Sequence, residues 1–111
     1  MFEVEYYQEN DNAPVVDFIL ERPPKEQAKI LREVDLLEEF GLFLGMPHVR
    51  KIVSTGLWEL RIRLGTNIFR ILFKELENKF LLLHGFQKKT DKVPKKEINI
   101  ALRRLEKYLE R

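Results

Sequence analysis

Three runs of β-branched, aromatic and leucine residues follow one another between Gly56 and Lys89, GLWELRIRLGTNIFRILFKELENKFLLLHGFQKK, and they limit the fold more than any other part of the chain. The breaks between them, Gly65-Thr66-Asn67 and Glu75 to Asn78, have the glycine or polar character of hairpin turns, so the pattern predicts three consecutive antiparallel strands. In the first run Trp58, Leu60, Ile62 and Leu64 alternate with Glu59, Arg61 and Arg63. Successive strand side chains point to opposite faces, which makes one face apolar and gathers a carboxylate and two guanidiniums on the other. The second run holds Arg70 inside IFRILF, where a charge requires a partner, a solvated cleft or a ligand. The third is almost wholly apolar as far as Gln87-Lys88-Lys89, and its only interior polar side chain is His84.

Before this stretch, Phe2, Val4 and Tyr6 alternate with Glu3, Glu5 and Tyr7, the pattern of a half-buried strand at a sheet edge. Asn10-Asp11-Asn12 offers N-cap chemistry and Pro14 suits a first turn, so a short helix is expected through Val15, Phe18 and Ile19, closed by Pro23-Pro24. A second helix is expected from Lys25 to Phe40, with Ile30, Leu31, Val34, Leu37 and Phe40 opposite Glu26, Lys29, Glu33 and Glu39, and with Gly41 as its C-terminal cap. Within the connector that follows, VRKIV from Val49 to Val53 has the composition of a short paired strand, and its Arg50 and Lys51 adjoin the basic sheet face in sequence. Beyond a polar hinge, Pro94 opens a last helix whose stripe is Ile98, Ala101, Leu102, Leu105 and Leu109 and whose other faces are basic. The order β-α-α-β-β-β-α describes an α+β fold, a mostly antiparallel sheet with helices packed on it, over residues 1 to 111 as one domain.

A chain of 111 residues buries about 60 to 70% of its unfolded surface, enough for a core without staples. Cysteine is absent, which excludes disulfides and thiolate metal sites. No signal-peptide pattern and no apolar run of membrane-spanning length is visible, and the expectation is a cytoplasmic protein. The net charge of +2 conceals a division: residues 1–47 carry 4 Lys+Arg against 11 Asp+Glu, whereas residues 48–111 carry 16 against 7. Such a basic half fits a polyanion such as nucleic acid, or an acidic protein that covers the same surface.

Taken in order, GLWELR (Gly56 to Arg61), FRILF (Phe69 to Phe73) and LLHGFQKKTDKVPKKEINIA (Leu82 to Ala101) resemble motifs of the RelE/HigB superfamily of bacterial toxins, specifically its phage-derived RelE-like branch. The resemblance covers nearly the whole chain and implies a RelE/ParE-like small domain. It further implies the toxin of a type II toxin–antitoxin module, an endoribonuclease that cleaves mRNA on the ribosome without metal or other cofactor and so inhibits translation. The implied partner is a HigA-like helix-turn-helix antitoxin, with a toxin–antitoxin heterotetramer as the assembly. Two readings of other classes stand beside it: a ParE-like inhibitor that binds DNA gyrase, and a nucleic-acid-binding module without catalysis.

Cleavage by attack of the ribose 2′-hydroxyl on the adjacent phosphate needs clustered cations and a proton carrier. Arg61 and Arg70 are the first candidates for the phosphate, since a guanidinium donates paired hydrogen bonds and keeps its charge. The resemblance sets Arg61 where related toxins carry a catalytic lysine and Arg70 where they carry an arginine on the scissile phosphate. The bland alternative makes both solvated strand residues, with Arg61 bridged to Glu59. The same resemblance makes Lys88, just after the last strand, the candidate for assisting the leaving oxygen. Arg63, Lys51, Lys89, Lys92, Lys95 and Lys96 are expected to hold the backbone of the substrate without reading sequence. For proton transfer His84 has suitable chemistry but sits in an apolar run, where a histidine is more often a hydrogen-bonded core residue, and Glu59 beside two arginines would be a weakened base. His48 falls in a loop whose position the sequence leaves open, and Trp58 belongs with the core by its alternation.

Overall fold

The computed structural model describes residues 1–87 and 91–111. Its elements are β1 (Glu3–Tyr6), α1 (Pro14–Leu20), α2 (Pro24–Phe40), a 3-10 turn (Gly41–Leu44), β2 (Val49–Ile52), β3 (Leu57–Leu64), β4 (Asn67–Leu76), β5 (Lys79–Gln87) and α3 (Lys95–Leu109). One five-stranded sheet runs in the order β1-β5-β4-β3-β2, antiparallel except for the parallel β1–β5 pair. The expected α+β architecture is therefore present, and VRKI is a paired edge strand, so that four strands follow the second helix where the expected order counted three.

The alternation in β3 sorts the two layers. Leu60 and Ile62 join Phe69, Ile71, Phe73, Phe80 and Leu82 in a buried cluster under α1 and α2, with Trp58 and Leu64 at its margin. Leu57 lies on the opposite face, where Leu72, Leu81, Leu83 and Phe86 pack beneath α3. Each such side chain contributes roughly 1.5–3 kcal/mol by leaving water. A bulge in β5 decides which of its residues face α3. Leu72 pairs with His84 but Phe73 pairs with Leu82, and the extra residue, Leu83, turns His84 and Phe86 toward α3.

Two glycines are required by close approach. Gly41 ends α2 at φ +61°, and a Cβ there would lie 2.4 Å from the ring of Phe2. At Gly85 a Cβ would lie 2.6 Å from the ring of Phe18, so this position lets α1 settle on β5.

Three local expectations are corrected. The N-cap of α1 is Ala13, which makes no side-chain cap; Asn12 is instead tied to Glu9 in a small backbone bridge. In α2, Leu31 and Phe40 are exposed while Ile30, Val34 and Leu37 are buried, because α2 is only partly covered. Glu33, expected on the polar face, is buried by the loop before β2, whose His48 folds over it.

Candidate functional site

Glu59 forms the centre of a charge cluster on the α3 side of the sheet. Its carboxylate is fully buried, with Oε1 3.3 Å from Nη2 of Arg50 and Oε2 3.6 Å from Nε of Arg70. Strand register explains the meeting: Arg50 stands opposite Glu59 across β2–β3, and Arg61 stands opposite Arg70 across β3–β4. Arg70 is among the largest fully buried side chains. Desolvation pushes its guanidinium below the ordinary arginine range, Glu59 opposes that shift, and Arg61 and Arg50 add to it. Like charges directly opposite one another destabilise an antiparallel pair. Three guanidiniums thus crowd one carboxylate that pairs with two of them, Arg50 and Arg70; Arg50 stays 34% exposed, and Arg61 is half-buried and without an ion pair among the described residues.

Where β2 begins at Val49 the preceding loop is pinned to β3, since the Arg61 N–H donates to the His48 carbonyl at 2.8 Å. Beside that bond lies a groove of about 330 Å³ lined by Lys29, Glu33, Pro47, His48, Arg61 and Arg63. Glu33 comes from α2 with its side chain only 5% exposed; Oε1 is 3.4 Å from Nζ of Lys29, and Oε2 is 3.2 Å from Nδ1 of His48. The His48 ring stays 38% exposed. A second hollow of about 490 Å³ lies across β2, with Ile52, Val93 and Ile98 as its apolar floor and Arg50, Lys51 and Lys92 around it. Arg50 joins the hollow to the cluster, because its Nη2 also donates to the Asp91 carbonyl at 2.9 Å. The arrangement suits a polyanionic strand laid across β2 and β3.

His84 belongs to a different network. Its Nε2 is 2.7 Å from Oε1 of Glu97, and its Nδ1 is 3.2 Å from Nη1 of Arg104, which also donates to the Leu83 carbonyl. Arginine has no acceptor, so Nδ1 must be the lone-pair nitrogen and Nε2 carries the hydrogen donated to Glu97. A second proton on the ring would confront Arg104. Burial lowers the tendency of His84 to protonate, the Glu97 hydrogen bond opposes this, and the charge of Arg104 reinforces it. Both ring nitrogens are engaged, and Phe86 stacks on the ring at 5.5 Å.

A model of the family described as phage derived protein Gp49-like (DUF891) matches residues 17–106. The chain belongs to this family. It is a toxin-like family of toxin–antitoxin contexts. No curated protein matches the chain.

In this Gp49-like chain Glu59, Arg61 and Arg70 meet as one cluster, although Glu59 is bridged to Arg50 and Arg70 and not to Arg61. Arg63 is exposed on the same strand face and lines the smaller groove. Lys51 and Lys92 border the larger hollow, and Lys95 and Lys96 are exposed in the first turn of α3, where their charge adds to the positive end of the helix dipole. Lys88 and Lys89 lie outside the described residues. Among the described residues no group of three His, Cys, Asp or Glu side chains could hold a metal ion, and no helix is long and apolar enough to cross a membrane. Sequence reasoning noted Arg50 beside the basic face and Glu33 on a polar helix face, but cast neither as a site residue. The signal for Arg50 was the pairing of VRKIV with the first hairpin strand, which needs only a register to oppose it to Glu59. For Glu33 no local signal exists, because its partner His48 is fifteen residues away in a loop.

Proposed function

We propose that the chain is the toxin of a toxin–antitoxin pair and acts as an endoribonuclease on ribosome-bound mRNA. The observation that carries this reading is Arg61, a half-exposed guanidinium backed by Arg50 and Arg70 and opening onto the groove it shares with Arg63. In the reaction the ribose 2′-oxygen attacks the neighbouring phosphorus and the 5′-oxygen departs. Negative charge builds on the non-bridging oxygens, and Arg61 receives it with two donors in a fixed plane. Arg63 holds the backbone beside it. Arg70, buried at 0% exposure, acts from beneath: it fixes Glu59 and through the opposed pair keeps Arg61 turned outward. Dependence on the ribosome and on mRNA is supported by the ordered motifs of Gly56 to Ala101, and the same resemblance supports a HigA-like helix-turn-helix antitoxin that covers the basic surface.

The test is induction of the chain in bacteria beside Arg61→Ala, with 5′-end mapping of messages within minutes. New ends inside translated codons, lost in the variant, are the expected result. Growth arrest with intact messages would transfer the reading to a protein target such as gyrase, and no arrest would leave only a binding module. Co-expression with a helix-turn-helix protein encoded beside this chain is the test of the antitoxin, with restored growth and a co-eluting complex as the expected result.

A further inference from the structure

We propose that His48, oriented by Glu33, is the general base that removes the proton from the attacking 2′-hydroxyl, an inference that rests on the nuclease reading above. An ionised carboxylate can only accept hydrogen bonds, so the contact of 3.2 Å between Glu33 Oε2 and His48 Nδ1 sets the ring hydrogen on Nδ1 and leaves the lone pair on Nε2. Glu33 is well placed to hold the ring, being 5% exposed with its other oxygen 3.4 Å from Lys29. A buried carboxylate behind a partly exposed imidazole is the arrangement that fixes a histidine as a base in nucleophilic sites. Here the ring lines the same groove as Arg61 and Arg63, the groups cast for the phosphate.

Elimination leads to the same residue. Arg61 and Arg63 can only donate. Glu59 is fully buried between Arg50 and Arg70. Both nitrogens of His84 are occupied, by Glu97 and Arg104. His48 alone among these combines solvent access with an available lone pair, and imidazole is the side chain that exchanges a proton readily between about pH 5 and 8. The charged groups around it are Lys29 and Glu33 from α2 and Arg61 and Arg63 from β3.

The step balances as a transphosphorylation. Nε2 of His48 takes the 2′-hydroxyl proton, the O2′–P bond forms and the P–O5′ bond breaks with its electron pair on O5′. Water protonates O5′, and the hydroxide left behind recovers the proton from the imidazolium. The products are a 2′,3′-cyclic phosphate and a 5′-hydroxyl, with no net redox change.

The experiment uses the purified full chain with programmed ribosomes and a defined mRNA, and measures single-turnover cleavage from pH 5 to 9. His48→Ala is expected to slow the chemical step by about a hundredfold to ten-thousandfold without weakening mRNA binding, to abolish the acid limb of the profile and to regain rate with added imidazole. Glu33→Gln, whose side-chain amide can donate as well as accept and so no longer fixes the hydrogen on Nδ1, is expected to slow the chemical step by about tenfold or more without weakening mRNA binding. Should circular dichroism show His48→Ala unfolded, His48→Gln, which keeps a hydrogen bond to Glu33, takes its place with the same expected profile. A His48 variant that cleaves within about threefold of wild type overturns this inference and leaves the nuclease reading standing. A slow variant with the wild-type pH profile and no imidazole rescue in His48→Ala assigns His48 a structural role and overturns it equally. Failure of the wild-type chain to cleave overturns both readings.

Discussion

Replacing the buried pair Glu59 and Arg70 one at a time and then together tests the charge cluster most directly. Both side chains are 0% exposed and their charged atoms are 3.6 Å apart. With an effective dielectric of about 20, two unit charges at that distance attract by about 4–5 kcal/mol, and desolvation of the pair offsets most of this. Glu59→Leu removes the carboxylate that faces Arg70 and is expected to cost about 3–5 kcal/mol, the usual cost of breaking a buried pair. Arg70→Met is expected at the lower end of that range, since Glu59 keeps Arg50 at 3.3 Å, an arginine that is 34% exposed and partly solvated. The double variant fills the space with apolar volume and removes both desolvation costs, so it is expected within about 1–2 kcal/mol of wild type, a coupling of about 3 kcal/mol or more. In a domain whose total stability is about 5–15 kcal/mol this is a large fraction. At about 4 °C per kcal/mol, each single variant would melt roughly 12–20 °C lower. Urea unfolding at neutral pH, with m held constant, measures the four corners of the cycle. Single losses under about 1 kcal/mol, or a double variant equal to the sum of the singles, would refute the reasoning that the pair is a coupled buried ion pair.

Arg61→Ala is expected to reduce mRNA cleavage by about a hundredfold to a thousandfold while stability is kept or slightly raised, because the change removes the like charge opposite Arg70; a wild-type rate in a folded variant would exclude it. His84 predicts a pH effect of known sign. Its proton affinity is lowered by folding, so the unfolded chain binds more protons and the stabilising contribution is present above the ordinary histidine value, about 6.5, and is lost as pH falls below it. The stability difference between wild type and His84→Gln should therefore shrink or reverse between pH 7.5 and pH 5, and a constant difference would refute the assignment of a neutral ring between Glu97 and Arg104. Gly85→Ala places a methyl 2.6 Å from the Phe18 ring and is expected to cost about 1–3 kcal/mol by urea unfolding; a neutral effect would show that α1 can shift on β5.

Much of the fold was legible because its signals are local. Alternation in LWELRIRL separated Leu60 and Ile62 from Glu59, Arg61 and Arg63 before any neighbour was known, and the pleat of a strand enforces that separation whatever lies on either side. Gly41 was recognisable as a cap because few residues accept its conformation. The candidate site was legible only in part. IFRILF demanded an answer for Arg70, and the phosphate was the favoured one, but residue order in one dimension does not show the buried carboxylate that stands beside it. Glu33 was assigned to a solvated helix face because helical periodicity carries no information about a loop that later folds across it.

The sequence by itself determined the strand and helix types, the apolar and charged faces of β3, and the excess of cations after residue 47, since periodicity and charge are properties of consecutive residues. Tertiary structure decided who meets whom. Register across β2–β3 and β3–β4 brought Arg50 and Arg70 to Glu59 and set Arg61 against Arg70. A single extra residue in β5 turned His84 toward Glu97 and Arg104, and the loop pinned to β3 carried His48 onto Glu33. These contacts join residues 9 to 20 positions apart, and the free energy that selects them comes from packing and desolvation of the whole sheet, which no local stretch contains.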